Sequence, residues 1–168
     1  SSASKGETVN DTLKVVSNYV DVVAMRPPKE GAAFVATQAV STPIINAGDG
    51  GHMHPTQTLA DLATILARFG RLNNLTVGLC GDLTYGRTVH SLIETLCRFG
   101  NVHFVLISPD ELKTPQYVID RIIDTPSCTY EETRDLMEVI GKLDVLYMTR
   151  VQEERFTDRE QYLSLIHI

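Results

Sequence analysis

Short apolar runs alternating with amphipathic stretches constrain this chain more than any other feature. The runs at residues 20–25, 43–46, 75–80, 102–107 and 143–148 have strand length and read as buried strands. Between and around them, residues 7–18, 30–39, 55–69, 87–99, 115–123 and 131–140 read as helices. Thr8 is a candidate N-cap for the first, and Val89, Leu92, Ile93 and Leu96 share one face of the fourth. Such alternation builds parallel βαβ units, so the predicted class is α/β.

The helix over 55–69 has the clearest ends. Pro55 suits a first-turn position, Leu59, Leu62, Ala63 and Leu66 form a helical stripe, and Gly70 is a C-terminal stop. The expected architecture is two parallel-sheet α/β lobes joined by this linking helix, with residues 1–53 in one lobe, 54–70 as the link and 71–168 in the other. Ala47-Gly48-Asp49-Gly50-Gly51, just before the link, reads as a flexible hinge.

Charge and composition remove several functions. The net charge is −6, against which affinity for a nucleic-acid backbone is not expected. No run approaches the ~20 apolar residues of a membrane span, and none near Ser1 resembles a signal peptide. Cys80, Cys97 and Cys128 are odd in number and lack CxxC spacing, so they read as reduced thiols of a cytoplasmic protein. Scattered as they are, they make no metal site with the histidines. The polar start at Ser1 and the apolar tail over 163–168 read as an internal piece of a longer chain, incomplete at both ends.

In parallel α/β folds, ligands bind beyond the carboxyl ends of the strands. The polar residues expected there are Arg26, the Gly81–Arg87 loop, Ser108-Pro109-Asp110, and Arg150 with Gln152; His54 lies at the mouth of the linking helix. Cations concentrated at these positions in an acidic chain predict a small polyanionic substrate held by arginine forks.

The stretch from Gly81 to Thr88 nearly matches a phosphate-cradling G-x-x-x-x-G-K-[ST] loop, but Arg87 replaces the lysine. A plain strand-to-helix turn, with Asp82 at the helix start, is the alternative. His54, with Thr56 and Gln57, could donate to a developing oxyanion or simply cap the helix. Nothing matches G-x-S-x-G, so a nucleophilic hydrolase is unsupported.

Most of these residues fall within strings that together are specific: Ser4-Lys5-Gly6-Glu7-Thr8, Met25-Arg26, Asn46-Ala47-Gly48-Asp49-Gly50, His54-Pro55-Thr56-Gln57-Thr58, Gly81-Asp82-Leu83 with Tyr85-Gly86-Arg87-Thr88-Val89-His90-Ser91-Leu92, and Tyr147-Met148-Thr149-Arg150-Val151-Gln152 with Glu154-Arg155. In that order they resemble the aspartate carbamoyltransferase family, and Thr56 and Arg150 favour aspartate over ornithine. The resemblance implies transfer of the carbamoyl group of carbamoyl phosphate to the amine of L-aspartate, a step of pyrimidine biosynthesis, with no cofactor and no metal.

It also implies roles. Arg26 and His54 would be catalytic, holding the carbonyl oxygen and phosphate, with Gln57 and Ser1 completing the carbamoyl-phosphate site. Lys5, Arg87, Arg150 and Gln152 would bind aspartate, and Arg155 would act in lobe closure. The family's unit is a homotrimer with active sites shared between subunits, and regulatory subunits or fusion partners are possible. Its Ser-Thr-Arg-Thr and His-Pro-Leu-Pro loops do not occur in the chain, so the isolated chain is expected to be nearly inert. Two alternatives stay open: a non-catalytic, carbamoyltransferase-like assembly domain, and a phosphate-loop nucleotide-binding module.

Overall fold

Local chemistry sets the helix ends in the computed structural model, which describes residues 8–150. Thr8 caps α1 (Val9–Val16) by accepting the Asp11 N–H. The chain then forms β1 (Val23–Met25), α2 (Ala32–Ala39) and β2 (Ile44–Asn46). The two strands pair in parallel, Val23 opposite Ile44 and Met25 opposite Asn46. Next comes α3 (Pro55–Phe69), with His54 as N-cap, Pro55 in its first turn and Gly70 ending it at φ +66°, a left-handed conformation that suits glycine.

Beyond α3 lie β3 (Leu75–Cys80), α4 (Arg87–Cys97), β4 (Val102–Ile107), α5 (Gln116–Ile123), β5 (Thr129–Thr133), α6 (Leu136–Val139) and β6 (Val145–Met148). The four strands β3 to β6 form one parallel sheet in the order β5-β4-β3-β6. The chain therefore winds outward from β3 to β5 and returns to the opposite side of β3 with β6. That reversal creates a crevice beyond the ends of β3 and β6.

The core sits on both faces of β3 and β4. On one face Val77, Leu79, Phe104 and Leu106 pack with Val89, Leu92, Ile93 and Leu96 of α4, Ile122 of α5, and Leu62 and Ile65 of α3. On the other, Cys80, Val105 and Ile107 meet Val139, Leu136 and Leu143. Burial on both faces explains why these strands are continuous apolar runs. The three cysteines are buried and unpaired. Burial, with Cys128 beside it, pushes the Cys97 thiol up to about 12, which keeps it protonated and unreactive.

Two sequence expectations need correction. Residues 131–140 are not one helix: Glu131 and Glu132 lie in β5, paired with Val105 and Leu106 of β4, and only a single turn, α6, follows. β5 is a solvent-facing edge strand, so no apolar alternation marks it, and its pairing partner decides its conformation. On α3 the buried residues are Thr58, Leu62 and Ile65, while Leu59 is 66% exposed. Contact with α4 selects the stripe one residue away from the leucine-rich one.

The Gly-rich stretch is braced more than its composition suggests. Asp49, which is buried, accepts N–H groups from Gly31 (2.8 Å) and Met53 (3.1 Å). Burial raises its carboxyl, but hydrogen bonds from Asn46, Gly31, His52 and Met53 outweigh that and hold it below its ordinary range. No described helix is long and apolar enough to cross a membrane.

Candidate active site

A cleft of about 400 Å³ lies at the reversal point of the sheet. Arg26, His54, Asp82, Tyr85, Arg87 and Arg150 are among the residues lining it. Arg26 follows β1 and the others come from α3, the β3–α4 turn and the end of β6, so elements distant in sequence converge there.

His54 caps α3 through one of its two ring nitrogens. Its Nδ1 accepts the Gln57 N–H at a long 3.4 Å and so caps α3. A neutral ring accepting at Nδ1 carries its proton on Nε2. Burial, then the positive charges of Arg87 and Arg26, lower its pKa from 6.5. At neutral pH the imidazole is therefore an uncharged donor among cations, suited to a carbonyl oxygen that gains negative charge. The capping and oxyanion readings of His54 are compatible.

The turn after β3 is not an open phosphate cradle. Asp82 is buried, and its Oδ1 accepts the Tyr85 N–H (2.9 Å), so a carboxylate occupies a donor that a phosphate would need. The Leu83 N–H is taken by the Leu112 carbonyl (3.0 Å). The turn instead delivers Arg87 to the start of α4, where Nη1 donates to the Gly50 carbonyl (2.6 Å). That bond links the β3–α4 region to the braced 47–53 turn.

Arg150 reaches the cleft from the end of β6, one residue after Thr149. Gln57 is placed otherwise: its side-chain amide donates to Asp61 (2.9 Å), it is exposed, and it is not among the lining residues. Ser1, Lys5, Gln152 and Arg155 lie outside the described residues. Ser108 and Asp110 line a separate depression after β4, where Asp110 pairs with Lys113 (3.2 Å) and Arg134. Among the described residues, no group of three His, Cys, Asp or Glu comes together to hold a metal ion.

Sequence reasoning gave no role to Ser91 or His90. Ser91 Oγ accepts the His54 N–H (2.8 Å) and donates to the Arg87 carbonyl (2.9 Å), tying two cleft residues together. A lone serine inside the apolar face of α4 was the available signal. His90 is buried beneath the turn, its Nε2 donating to the Leu83 carbonyl (2.8 Å) and its Nδ1 accepting from the Tyr117 hydroxyl (3.0 Å). Burial lowers its pKa from 6.5, partly offset by the Leu83 carbonyl and Asp82.

A pH dependence follows. Below pH 6.5 the unfolded chain takes protons on His54 and His90 that the folded chain refuses, so the unfolded state gains protons first. Stability should therefore fall as the pH drops through 6.5 toward the depressed folded values. Tyr117→Phe, which strips His90 of its donor, should cost about 1–3 kcal/mol at neutral pH. Denaturant melts at two pH values bracketing 6.5 check both. A midpoint that rises on the acid side would contradict the pH argument, and an unchanged midpoint in the phenylalanine variant would contradict the bond.

Known proteins and family models resemble the chain along nearly all of its length. Residues 1–67 fit the family described as "Aspartate/ornithine carbamoyltransferase, carbamoyl-P binding domain", and residues 73–167 fit its "Asp/Orn binding domain". The chain is similar to the aspartate carbamoyltransferase catalytic subunit of Bifidobacterium adolescentis, at 77% identity over 98% of this chain and 51% of the relative. That of Lachnoclostridium phytofermentans is 58% identical over 98% of this chain and 54% of the relative. Among solved structures, the M. jannaschii aspartate transcarbamoylase catalytic subunit superposes with a TM-score of 0.87 at 44% identity, over 98% of this chain and 53% of that one. A Trypanosoma cruzi aspartate transcarbamoylase in complex with carbamoyl phosphate and aspartate gives 0.86 at 40% identity, over 99% and 53%. The chain spans about half the length of the curated relatives it matches.

Proposed function

The chain belongs to the aspartate/ornithine carbamoyltransferase family, and from that premise we propose that its protein transfers the carbamoyl group of carbamoyl phosphate to L-aspartate, giving N-carbamoyl-L-aspartate and phosphate. The observation that carries this reading is the convergence of Arg26, His54, Arg87 and Arg150 on one cleft. Three arginines around a neutral histidine suit two polyanionic reactants and one developing oxyanion. A dicarboxylate acceptor fits this charge better than ornithine, whose side chain is a cation.

In the proposed step the free amine of aspartate attacks the carbonyl carbon. The C–N bond forms, the carbonyl electrons move onto oxygen, and the tetrahedral oxyanion is held by His54 Nε2–H and Arg26. The oxyanion then collapses, the C–O bond to phosphate breaks, and phosphate leaves with that electron pair and takes up the proton lost by the nitrogen. Arg26 neutralises the leaving group, Arg87 holds the α-carboxylate and Arg150 the side-chain carboxylate. Aligning two reactants can itself supply about 7–11 kcal/mol of the barrier.

Gln57 would leave Asp61 to orient the carbamoyl amino group. Ser1 and Lys5 would reach a neighbouring subunit's site in a homotrimer, Gln152 would assist Arg150, and Arg155 would act when the lobes, residues 1–53 and 71–168, close about the link. A cytoplasmic location accords with reduced thiols.

The test is direct. The full-length protein is mixed with ¹³C-labelled carbamoyl phosphate and L-aspartate, and N-carbamoyl-L-aspartate is followed by NMR. A matching release of phosphate is expected. Product with ornithine but none with aspartate would reverse the acceptor assignment, and no transfer to either would remove the catalytic reading.

A further inference from the structure

Thr149 lies between the end of β6 and Arg150, and it binds the opposite side of the crevice through its backbone and its side chain. Its N–H extends the parallel ladder to the Cys80 carbonyl (2.8 Å). Its Oγ1 donates to that same carbonyl (3.2 Å) and accepts the Asp82 N–H (2.7 Å). No side chain separates the two segments, because Gly81 stands there at φ +117°. A Cβ on Gly81 would come within 2.5 Å of Thr149 Oγ1 and 2.6 Å of its carbonyl oxygen. Beyond the backbone ladder of β3 and β6, the closeness of the two segments rests on one hydroxyl and one missing side chain.

Each partner of this contact carries an arginine of the cleft. On one side Arg150 follows Thr149 directly. On the other, the same Asp82 whose N–H meets the hydroxyl holds the Tyr85 N–H with its carboxylate, forming the turn that leads to Arg87. Resting on the carbamoyl-transfer reading, we propose that Thr149 is a specificity-determining positioning residue: its hydroxyl sets the separation of Arg87 and Arg150 and so fits the cleft to the carboxylate spacing of aspartate. Arg26 and His54 are mounted on other elements, after β1 and at the head of α3. Slack at Thr149 therefore acts first on the separation of Arg87 and Arg150, and reaches His54 only through the Ser91 link to Arg87. Misplacement by ~1 Å can cost about 10²-fold in rate, so a small change in spacing is readable.

Thr149→Val keeps the branched shape and removes every bond of the hydroxyl, including its longer approach to the Asp82 carbonyl (3.4 Å). In the full-length protein it should raise the KM for L-aspartate ~10–100-fold with the KM for carbamoyl phosphate within about twofold. The preference in kcat/KM for L-aspartate over the one-methylene-longer L-glutamate should fall about tenfold. Thr149→Ser, which retains the hydroxyl, should return all three values to about those of the wild type. A valine variant with wild-type aspartate KM and selectivity, or with equal losses toward both substrates, overturns the proposal while leaving the transferase reading intact. Should the valine protein not fold, the serine variant decides alone: wild-type kinetics support the hydroxyl, and a tenfold or so rise in aspartate KM overturns it. If wild-type protein transfers nothing to aspartate, the transferase reading fails and this proposal with it.

Discussion

His54→Ala in the full-length protein should lower kcat by about 10²–10³, the usual loss for one oxyanion donor. The ring lines the cleft, accepts from the helix at Nδ1 and so keeps its proton on Nε2. Its depressed pKa, caused by burial and then by Arg87 and Arg26, keeps it neutral at the pH of the reaction. Protonation would force Nδ1 to become a donor facing the Gln57 N–H, and would add a cation beside two others. The acid limb of the pH–rate profile should accordingly fall below 6.5, the ordinary imidazole value. Loss of the cap costs a further ~0.5–2 kcal/mol of stability, read separately in the melting curve. His54→Asn, which can cap the helix and still offer an N–H, should recover the stability and only part of the rate. A kcat within about threefold of wild type in the alanine variant would remove His54 as an oxyanion donor and leave that role to Arg26.

How much of this was legible in the sequence depends on how local each cause is. The ends of α3 were readable because Pro55 and Gly70 act within one turn. β3 and β4 were readable because strands buried on both faces must be apolar throughout. β5 was hidden because its conformation comes from the ladder to β4, and its own Glu131 and Glu132 look helical. The same distinction separates the site residues. Arg26, Arg87 and Arg150 could be found from the rule that ligands gather beyond strand ends, since each directly follows a strand or its turn. Ser91, His90 and Thr149 act through bonds to residues 37, 27 and 67 positions away, and no spacing pattern encodes these. Gln57 shows the opposite case: its motif is plain, yet its side chain is held by Asp61 one helical turn along.

Arg150→Ala should give the largest change in substrate affinity, and a selective one. If Arg150 holds the side-chain carboxylate of aspartate, its loss leaves that charge in the cleft without its fork. Truncating one partner of a hydrogen-bonded charge pair costs about 2–5 kcal/mol, or roughly 30- to several-thousand-fold in kcat/KM for aspartate at 1.36 kcal/mol per tenfold. Arg150 is exposed, and solvent screening moves the expectation toward the lower end, near a hundredfold or so. The KM for carbamoyl phosphate should change by no more than about threefold, because that substrate is assigned to Arg26 and His54. Arg150→Lys should repair little, since an ammonium cannot reproduce a bidentate fork. A monocarboxylic acceptor such as L-alanine supplies the control. It lacks the group that Arg150 holds, so its already poor turnover should be nearly the same in wild type and variant. Equal losses toward aspartate and alanine would place Arg150 on the shared α-carboxylate instead, and equal losses toward aspartate and carbamoyl phosphate would remove it from acceptor recognition altogether.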